Sequence, residues 1–479
     1  MIINEQNLIN GEWISGNGVF DVVNPANGMV IATVPKASAE DVEYAVDAAD
    51  KAFAGWSRLS PFKRGEYLRQ ASEIVSQRAK EIAALMTAEQ GKPLAEALGE
   101  VKKGAEILRY YAEEGERIYG RIIQNADPYI ESRVIYQPLG VAAAISPWNY
   151  PIELLAWKLG GALASGCTVV CKLPSQTPLS PLAFVRCLVD AGVPQGVVNA
   201  LTGAGSTVGT QLLQNPKVKK VAFTGSTAVG KQVLANSAGT LKKVSLELGG
   251  SLPMVVCADC DIDAAVAGAV RRSFRNMGQI CIAVNRIYVD RKIYVEFLEK
   301  LTEQTMKLTI GNGLEDDCDL GPMCTEAGVK TTSKHIADGV EKGARLLCGG
   351  KKPEGEKYEK GFFFEPSILA DTNHSMLVMT EETFGPLVGV MPFDTVDEAI
   401  QLANDTPYGL AAIVYTKSLN LAEKLSREIN AGNVAINNPD AGVINAPYGG
   451  WNDSGFGYEH GPEGLYEYLH VKHIRIDKR

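Results

Sequence analysis

The sequence has no run of 18 apolar residues, and its opening MIINEQNLINGEW lacks both a basic start and an apolar stretch. Neither a membrane anchor nor an export signal is expected, which points to the cytoplasm. Dense Lys/Arg clusters are missing too, and with a net charge of −9 the chain offers no surface for tracking nucleic-acid phosphates. Histidine is scarce: His335, His374, His460, His470 and His473 are too scattered for a ligand cluster. Cys257 and Cys260 have CxxC spacing, but no second pair and no histidine lies nearby, so no metal site is expected. The nine cysteines do not form a disulfide framework, and reduced thiols are the expectation. Internal repeats and low-complexity tracts are also absent. What remains is a globular composition, 46% hydrophobic and 22% charged, in 479 residues, enough for two sizeable domains.

Periodicity gives the organisation. Residues 38–56 carry a capping box, Ser38 with Asp41, ahead of apolar positions Val42, Ala45, Val46, Ala49 and Phe53 at helical spacing. Residues 62–117 read as two or three further helices, broken near Gly91–Pro93. From 141 the pattern becomes short β-rich runs alternating with helix-length segments: 141–145, 168–172, 197–201, 219–223 and 242–248. That alternation predicts βα units and a parallel sheet. The first connecting helix is expected to start at Pro151 and stop at Gly166. A second cycle (254–257, 285–290, 388–393, 411–416 and 433–437) predicts a second α/β domain. Residues 120–140 and 468–476 alternate like strands but belong to neither core, and are expected to pair as an oligomerisation arm.

Several stretches between these elements carry chemistry. GAGSTVG (203–209) is GxGxxxG rather than GxGxxG, and reads as a turn into a helix. FTGSTAVG (223–230) is better placed: Gly225 and Ser226 follow a strand and open a helix, a seat for a pyrophosphate. Lys172 ends a strand, where parallel sheets bind ligands, and Pro174 and Pro178 stiffen the loop behind it. Asn149, in SPWNYP, offers an amide N–H to a developing oxyanion. Glu247, in SLELGG, is a strand-end carboxylate whose burial would raise its pKa, as a general base requires. Cys281, in FRNMGQIC, is the candidate nucleophile, with a helix N-terminus expected to lower its thiol pKa. Each stretch has a plain structural reading as well: a turn, a solvated side chain, a small buried thiol.

In combination the motifs are more specific. PWN, the strand-end lysine, GST with a later glycine, ELGG, GQxC 34 residues after Glu247, and EETFGP (381–386) resemble the aldehyde dehydrogenase superfamily in this order over nearly the whole chain. The resemblance implies two Rossmann-like parallel-sheet domains plus a small β arm that builds dimers or tetramers. On that pattern the cofactor-binding domain covers 1–118 and 138–248, the catalytic domain 249–448, and the arm 119–137 and 458–479. It implies that Cys281 attacks the aldehyde, that Asn149 and the Cys281 backbone N–H hold the oxyanion, that hydride passes to nicotinamide, and that Glu247 activates water to release a carboxylic acid. Lys172 and Glu382 would hold the cofactor's riboses, Gly225, Ser226 and Trp148 its pyrophosphate region, and Phe384 the nicotinamide ribose. Glu247 argues against an acylating, CoA-dependent enzyme, and the intact set argues against a silent structural protein. Ser175 stands where NAD-preferring members carry glutamate, so NADP as well as NAD is expected, with Lys172 pairing the extra phosphate.

SFRNMGQIC looks most like the succinate-semialdehyde branch, in which an arginine six positions before the nucleophile binds the substrate's far carboxylate; here that is Arg275. A second arginine of that branch appears as Trp157, and GVINA (442–446) lacks its serine. A small semialdehyde such as succinate semialdehyde is the expected substrate. The alternative is a neutral aliphatic or aromatic aldehyde stacked on Trp157. Residue 283 is alanine, which excludes a Cys-x-Cys switch at the nucleophile.

Overall fold

The computed structural model describes residues 3–16 and 18–479. The first β-rich cycle forms the parallel centre of an eight-stranded sheet: Lys243–Glu247, Val218–Thr224, Val141–Ile145, Thr168–Lys172 and Val198–Leu201, in that spatial order. Alternation along a strand sends successive side chains to opposite faces. Ala142 and Ala144 accordingly pack with the helices Pro61–Gln77, Leu94–Glu114 and Glu153–Ser165, while Val141, Ala143 and Ile145 meet the helix Ala39–Arg58. Both faces are covered, which is why these strands read as continuous apolar runs.

The second cycle forms a seven-stranded sheet in the order Arg345–Cys348, Ser367–Ala370, Leu387–Phe393, Val284–Asp290, Leu252–Val256, Ala411–Tyr415 and Asn433–Ile436, all parallel except the first. It has its own core, including Phe274, Tyr288, Phe297 and Phe393.

Local signals translated closely. Ser38 and Asp41 form the reciprocal capping box, and Gly166 ends its helix in the left-handed region at φ 98°. The break near Gly91 separates Ala79–Gln90 from Leu94–Glu114, with Gly91 at φ 99°. The helix expected from Pro151 starts at Glu153, after a turn. The two orphan segments do pair: Ile130–Pro138 runs antiparallel to Leu469–Asp477 along its full length, with Arg121–Ile123 added at the edge.

Two features were not anticipated. Asn7–Ile9 and Glu12–Ile14 extend the first sheet as an antiparallel hairpin, and Val19–Val23 with Val30–Pro35 builds a separate small sheet. The chain after 448 returns to the first domain before entering the arm: Gly455–Phe456 pairs with Lys243–Glu247, and the helix Gly461–Tyr466 packs on Glu153–Ser165. The C-terminal arm strand therefore begins only at Leu469. Among the described residues no helix is long and apolar enough to cross a membrane, and no group of three His, Cys, Asp or Glu side chains is arranged to hold a metal.

Candidate active site

From Val141–Ile145 the chain steps to Thr168–Lys172 and Val198–Leu201, then returns to the other side of Val141–Ile145 for Val218–Thr224 and Lys243–Glu247. This reversal opens a crevice at the carboxyl ends of neighbouring strands, the usual ligand position in such sheets. PWN follows one of those strands and Gly225–Ser226 the other. A cavity of about 250 Å³ lies there, and its wall includes Trp148, Asn149, Gly225, Ser226, Cys281, Glu382 and Phe384. Residues as far apart in the chain as Trp148 and Phe384 thus share one cleft, which is what the motif order implied.

Cys281 reaches it on an unusual backbone. Asn276 (φ 49°, ψ 34°), Met277 (φ 58°, ψ 33°) and Gly278 (φ 67°) follow one another in the left-handed region. Two of the three carry side chains, so the turn is strained and must be held by its surroundings. Asn276 supplies most of the hold: its Oδ1 accepts from Gln90 Nε2 (2.9 Å), its Nδ2 donates to the Asn149 carbonyl (3.1 Å), and its own carbonyl accepts from Gln279 Nε2 (2.9 Å). The Cys324 N–H fixes Gln279 from the other side (2.9 Å). A Cβ on Gly250 would stand 2.8 Å from the Cys281 carbonyl, which accounts for the second glycine of ELGG. No helix starts at Cys281, which corrects the expectation of a dipole-lowered thiol. Burial instead pushes its pKa up to about 12, with the charges of Glu382 and Glu247 adding to the rise and the Tyr448 hydroxyl, 3.9 Å from Sγ, opposing it. The resting group is a thiol.

Asn149 is 3% exposed, and its Nδ2 donates to the Gln279 carbonyl (2.9 Å), leaving the second amide hydrogen for the cleft. Its main-chain oxygen is held by Lys92 Nζ (2.8 Å), whose ammonium also pairs with Glu100 Oε2 (2.6 Å). Glu100 Oε1 in turn accepts the Ile152 and Glu153 N–H groups, so one wholly buried ion pair anchors both ends of the PWNYP turn. The sequence reading missed Lys92 and Glu100; a lysine placed in a helix break and a glutamate on the apolar face of Leu94–Glu114 were the available signals.

Glu247 is 4% exposed and neither carboxylate oxygen meets a protein donor. Burial holds its pKa well above the ordinary carboxylate range; the charge of Glu459 adds to the rise and that of Lys158 opposes it. The raised pKa expected from strand-end burial is therefore present. Behind it, Lys158 Nζ bonds Glu459 Oε1 (2.6 Å) and Thr224 Oγ1 (2.6 Å). Lys158 was also missed, although a lysine inside an otherwise apolar helix is a recognisable anomaly.

The expected cofactor residues divide between two hollows. At the nucleophile, Glu382 accepts from the Gly250 N–H (3.2 Å), and burial raises its pKa to about 7. Trp148 meets Phe384 edge-on at 5.5 Å, with Phe384 itself left-handed at φ 50°. Ser226 caps the helix Thr227–Ser237 as anticipated. A second cavity of about 260 Å³ is walled by Ser175, Gly203 and Thr207, with Ser175 Oγ donating to the Gly203 carbonyl (3.2 Å). Lys172 ends the strand leading there; burial lowers its pKa to about 8, and no acidic partner among the described residues compensates its charge. Two hollows along the carboxyl ends of adjacent strands, with an uncompensated lysine between their loops, fit a pyridine dinucleotide. Lys172, Ser175, Ser226 and Glu382 are the residues available to hold it.

The two expected substrate residues lie outside this cleft. Arg275 faces a separate cavity of about 390 Å³ together with Glu96, and its Nε donates to Glu96 Oε1 (3.1 Å). The Tyr150 hydroxyl donates to the same oxygen (2.8 Å). Neither terminal guanidinium nitrogen of Arg275 has a hydrogen-bonded partner among the described residues. Trp157 is 2% exposed and does not wall the cleft: His460 stacks on its ring at 3.5 Å and Tyr111 abuts it edge-on. The idea of an aldehyde stacking directly on Trp157 is corrected accordingly. Beyond His460 the column continues with Tyr448, which stacks on His460 at 4.9 Å.

Comparison with known proteins agrees with this geometry. The model of the aldehyde dehydrogenase family matches residues 13–474. The chain is 44% identical over 480 residues to an NADP(+) succinate-semialdehyde dehydrogenase of Escherichia coli, covering 99% of this chain and 98% of that one. It is equally identical, over the same length and coverage, to a glutarate-semialdehyde dehydrogenase of Pseudomonas putida. Its fold superposes on the crystal structure of succinate-semialdehyde dehydrogenase from Burkholderia pseudomallei with a TM-score of 0.97 at 40% identity, covering 99% of this chain and 98% of that one. The likeness spans the chain and includes the crevice, and the protein belongs to the aldehyde dehydrogenase family.

Proposed function

We propose that the enzyme oxidises a small semialdehyde to the corresponding dicarboxylate with NADP or NAD, releasing the acid by hydrolysis. The observation that supports this reading is that Cys281 and Asn149 wall one cleft, while the buried, unpaired Glu247 lies close enough for its charge to act on Cys281. Cys281 gives up its thiol proton to solvent water as Sγ bonds to the aldehyde carbon, and the carbonyl electron pair moves to oxygen, where Asn149 Nδ2 and the Cys281 N–H donate. A pyridine nucleotide held by Lys172, Ser175, Ser226 and Glu382 would supply the acceptor for the hydride that leaves this carbon. Glu247, once ionised, takes a proton from water; the water oxygen attacks the thioester, the C–S bond breaks, and the thiol is regenerated. Its elevated pKa makes it a stronger base than a solvated glutamate and suits it to this step.

The substrate tail is assigned to Arg275. Glu96 and Tyr150 orient the guanidinium through its Nε edge, leaving the terminal pair free to bind a carboxylate in bidentate fashion. The relatives that act on succinate and glutarate semialdehyde support this choice. A second reading, a neutral aromatic or aliphatic aldehyde, is favoured by the ring column of Trp157, His460 and Tyr448. NAD(P)H formation over succinate semialdehyde, glutarate semialdehyde, benzaldehyde and hexanal, with wild type and Arg275→Ala, separates them. Selective loss of the semialdehydes in the variant supports the first reading; neutral aldehydes leading with the variant unchanged overturn it. We assign assembly into a dimer or tetramer to the three-stranded arm, whose Tyr119, Ile122 and Val471 neighbourhood is strongly exposed.

A further inference from the structure

The hollow beside Ser175 has a feature that the motif reading did not absorb. Its wall comprises Phe20, Lys36, Ala37, Ser175, Gly203, Ala204 and Thr207, without a single acidic side chain, in a protein whose Asp and Glu outnumber Lys and Arg by 56 to 47. Lys36 comes from an unrelated part of the chain. It follows Val30–Pro35, the central strand of the small N-terminal sheet, and its N–H bonds to the Gly18 carbonyl (2.7 Å). The Ala37 N–H bonds to the Thr202 carbonyl (3.0 Å), and Thr202 Oγ1 donates to the Pro35 carbonyl (2.6 Å). The backbone on both sides of Lys36 is thus fastened to the loop after Val198–Leu201, and the lysine is held at the mouth of the Ser175 hollow. Its ammonium forms no ion pair among the described residues.

We propose that Lys36 is a specificity-determining residue for the cofactor: with Ser175 it walls a pocket free of acidic side chains, beyond the strand that Lys172 ends, that takes the 2′-phosphate of NADP. The inference rests on the reading that NADP is accepted. Opposite charge without a competing carboxylate is what a phosphate dianion requires, and the Ser175 and Thr207 hydroxyls supply neutral donors beside it. NADH presents a 2′-hydroxyl at the same position, and gains nothing from a second ammonium. Lys36 therefore bears on the choice between the two nucleotides and leaves the chemistry at Cys281 untouched.

The test is equilibrium binding followed by the fluorescence of NADPH and of NADH, with 2′,5′-ADP and 5′-AMP as calorimetric probes, on wild type, Lys36→Ala, Lys36→Glu and Ser175→Glu. Losing one charge-assisted phosphate contact in Lys36→Ala is expected to raise the ratio of the NADPH Kd to the NADH Kd about tenfold, and more in Lys36→Glu. If wild type favours NADPH and 2′,5′-ADP but the ratio is unmoved in both Lys36 variants while Ser175→Glu shifts it, Lys36 has no such role and the NADP reading stands. If wild type binds 2′,5′-ADP no more tightly than 5′-AMP, the NADP reading fails and the role of Lys36 fails with it.

Discussion

Replacing Lys92 by methionine probes the frame that holds the oxyanion donor. The ammonium and its partner Glu100 are both wholly buried, and the nitrogen also lies 3.8 Å from the centre of the Tyr150 ring. Methionine keeps the length and loses the charge, so Glu100 retains only the Ile152 and Glu153 N–H groups. Breaking a buried pair by removing one partner costs about 3–5 kcal/mol, because the other charge stays behind. Domains of 150–250 residues shift by about 2–4 °C per kcal/mol and larger ones by less, so Tm is expected to fall by about 5–10 °C. The Asn149 carbonyl keeps its bond from Asn276 but loses the one from Lys92, and kcat is expected to fall about tenfold, equivalent to ~1.4 kcal/mol of barrier. Thermal unfolding and steady-state kinetics on Lys92→Met, Glu100→Gln and the double variant form the assay. The double variant removes the stranded charge and is expected to recover much of the lost Tm. A single variant melting with the wild type, or a double variant melting below Lys92→Met, would refute the argument.

Two further outcomes follow from the cleft. The hydrolysis of a preformed Cys281 thioester, measured in single turnover so that the thiol no longer contributes, is expected to accelerate with rising pH at values where a solvated glutamate is already ionised. The sign follows from the pKa: Glu247 is held in its neutral form well beyond the ordinary carboxylate range, so raising pH produces the base, whereas an unperturbed glutamate would be fully ionised above about pH 6. A rate that is flat from pH 6 to 9 would contradict it. Gly249→Ala would place a methyl group against the Glu382 carboxylate; that side chain can swing away without unfolding the protein, so the expected effect is on cofactor binding. Loss of its hydrogen bonds to a ribose predicts a cofactor Kd about tenfold higher or more by fluorescence titration, and an unchanged Kd would remove Glu382 from that role.

What the sequence made legible was whatever depends on neighbours in the chain. The capping box at Ser38, the left-handed stop at Gly166 and the five parallel strands were visible because spacing and propensity decide them within a few residues. PWN, Lys172, GST and ELGG landed together because each stands at the end of a parallel strand, and parallel strands deliver their loops to the same edge, whereas GQIC and EETFGP lead into strands of the second sheet. What stayed hidden depends on contacts between distant segments. The Lys158–Glu459 bond joins positions 301 residues apart. Glu96 meets Arg275 across 179 residues, and nothing near FRNMGQIC marks that partner. The left-handed turn at Asn276–Gly278 was also unreadable, since asparagine and methionine ordinarily avoid three such residues in succession and only the Gln90, Asn149 and Gln279 contacts sustain it. The thiol pKa was misjudged for the same reason: burial by the assembled cleft, not a local helix dipole, sets it.

The most direct test of the account is rapid mixing of Glu247→Gln with NADP and succinate semialdehyde, followed by intact and peptide mass spectrometry. The account predicts a burst of about one NADPH per active site, slow turnover afterwards, and an acyl adduct on the Cys281 peptide, because acylation proceeds while the water-activating base is gone. Turnover at the wild-type rate without an adduct, or an adduct on another of the nine cysteines, would contradict it.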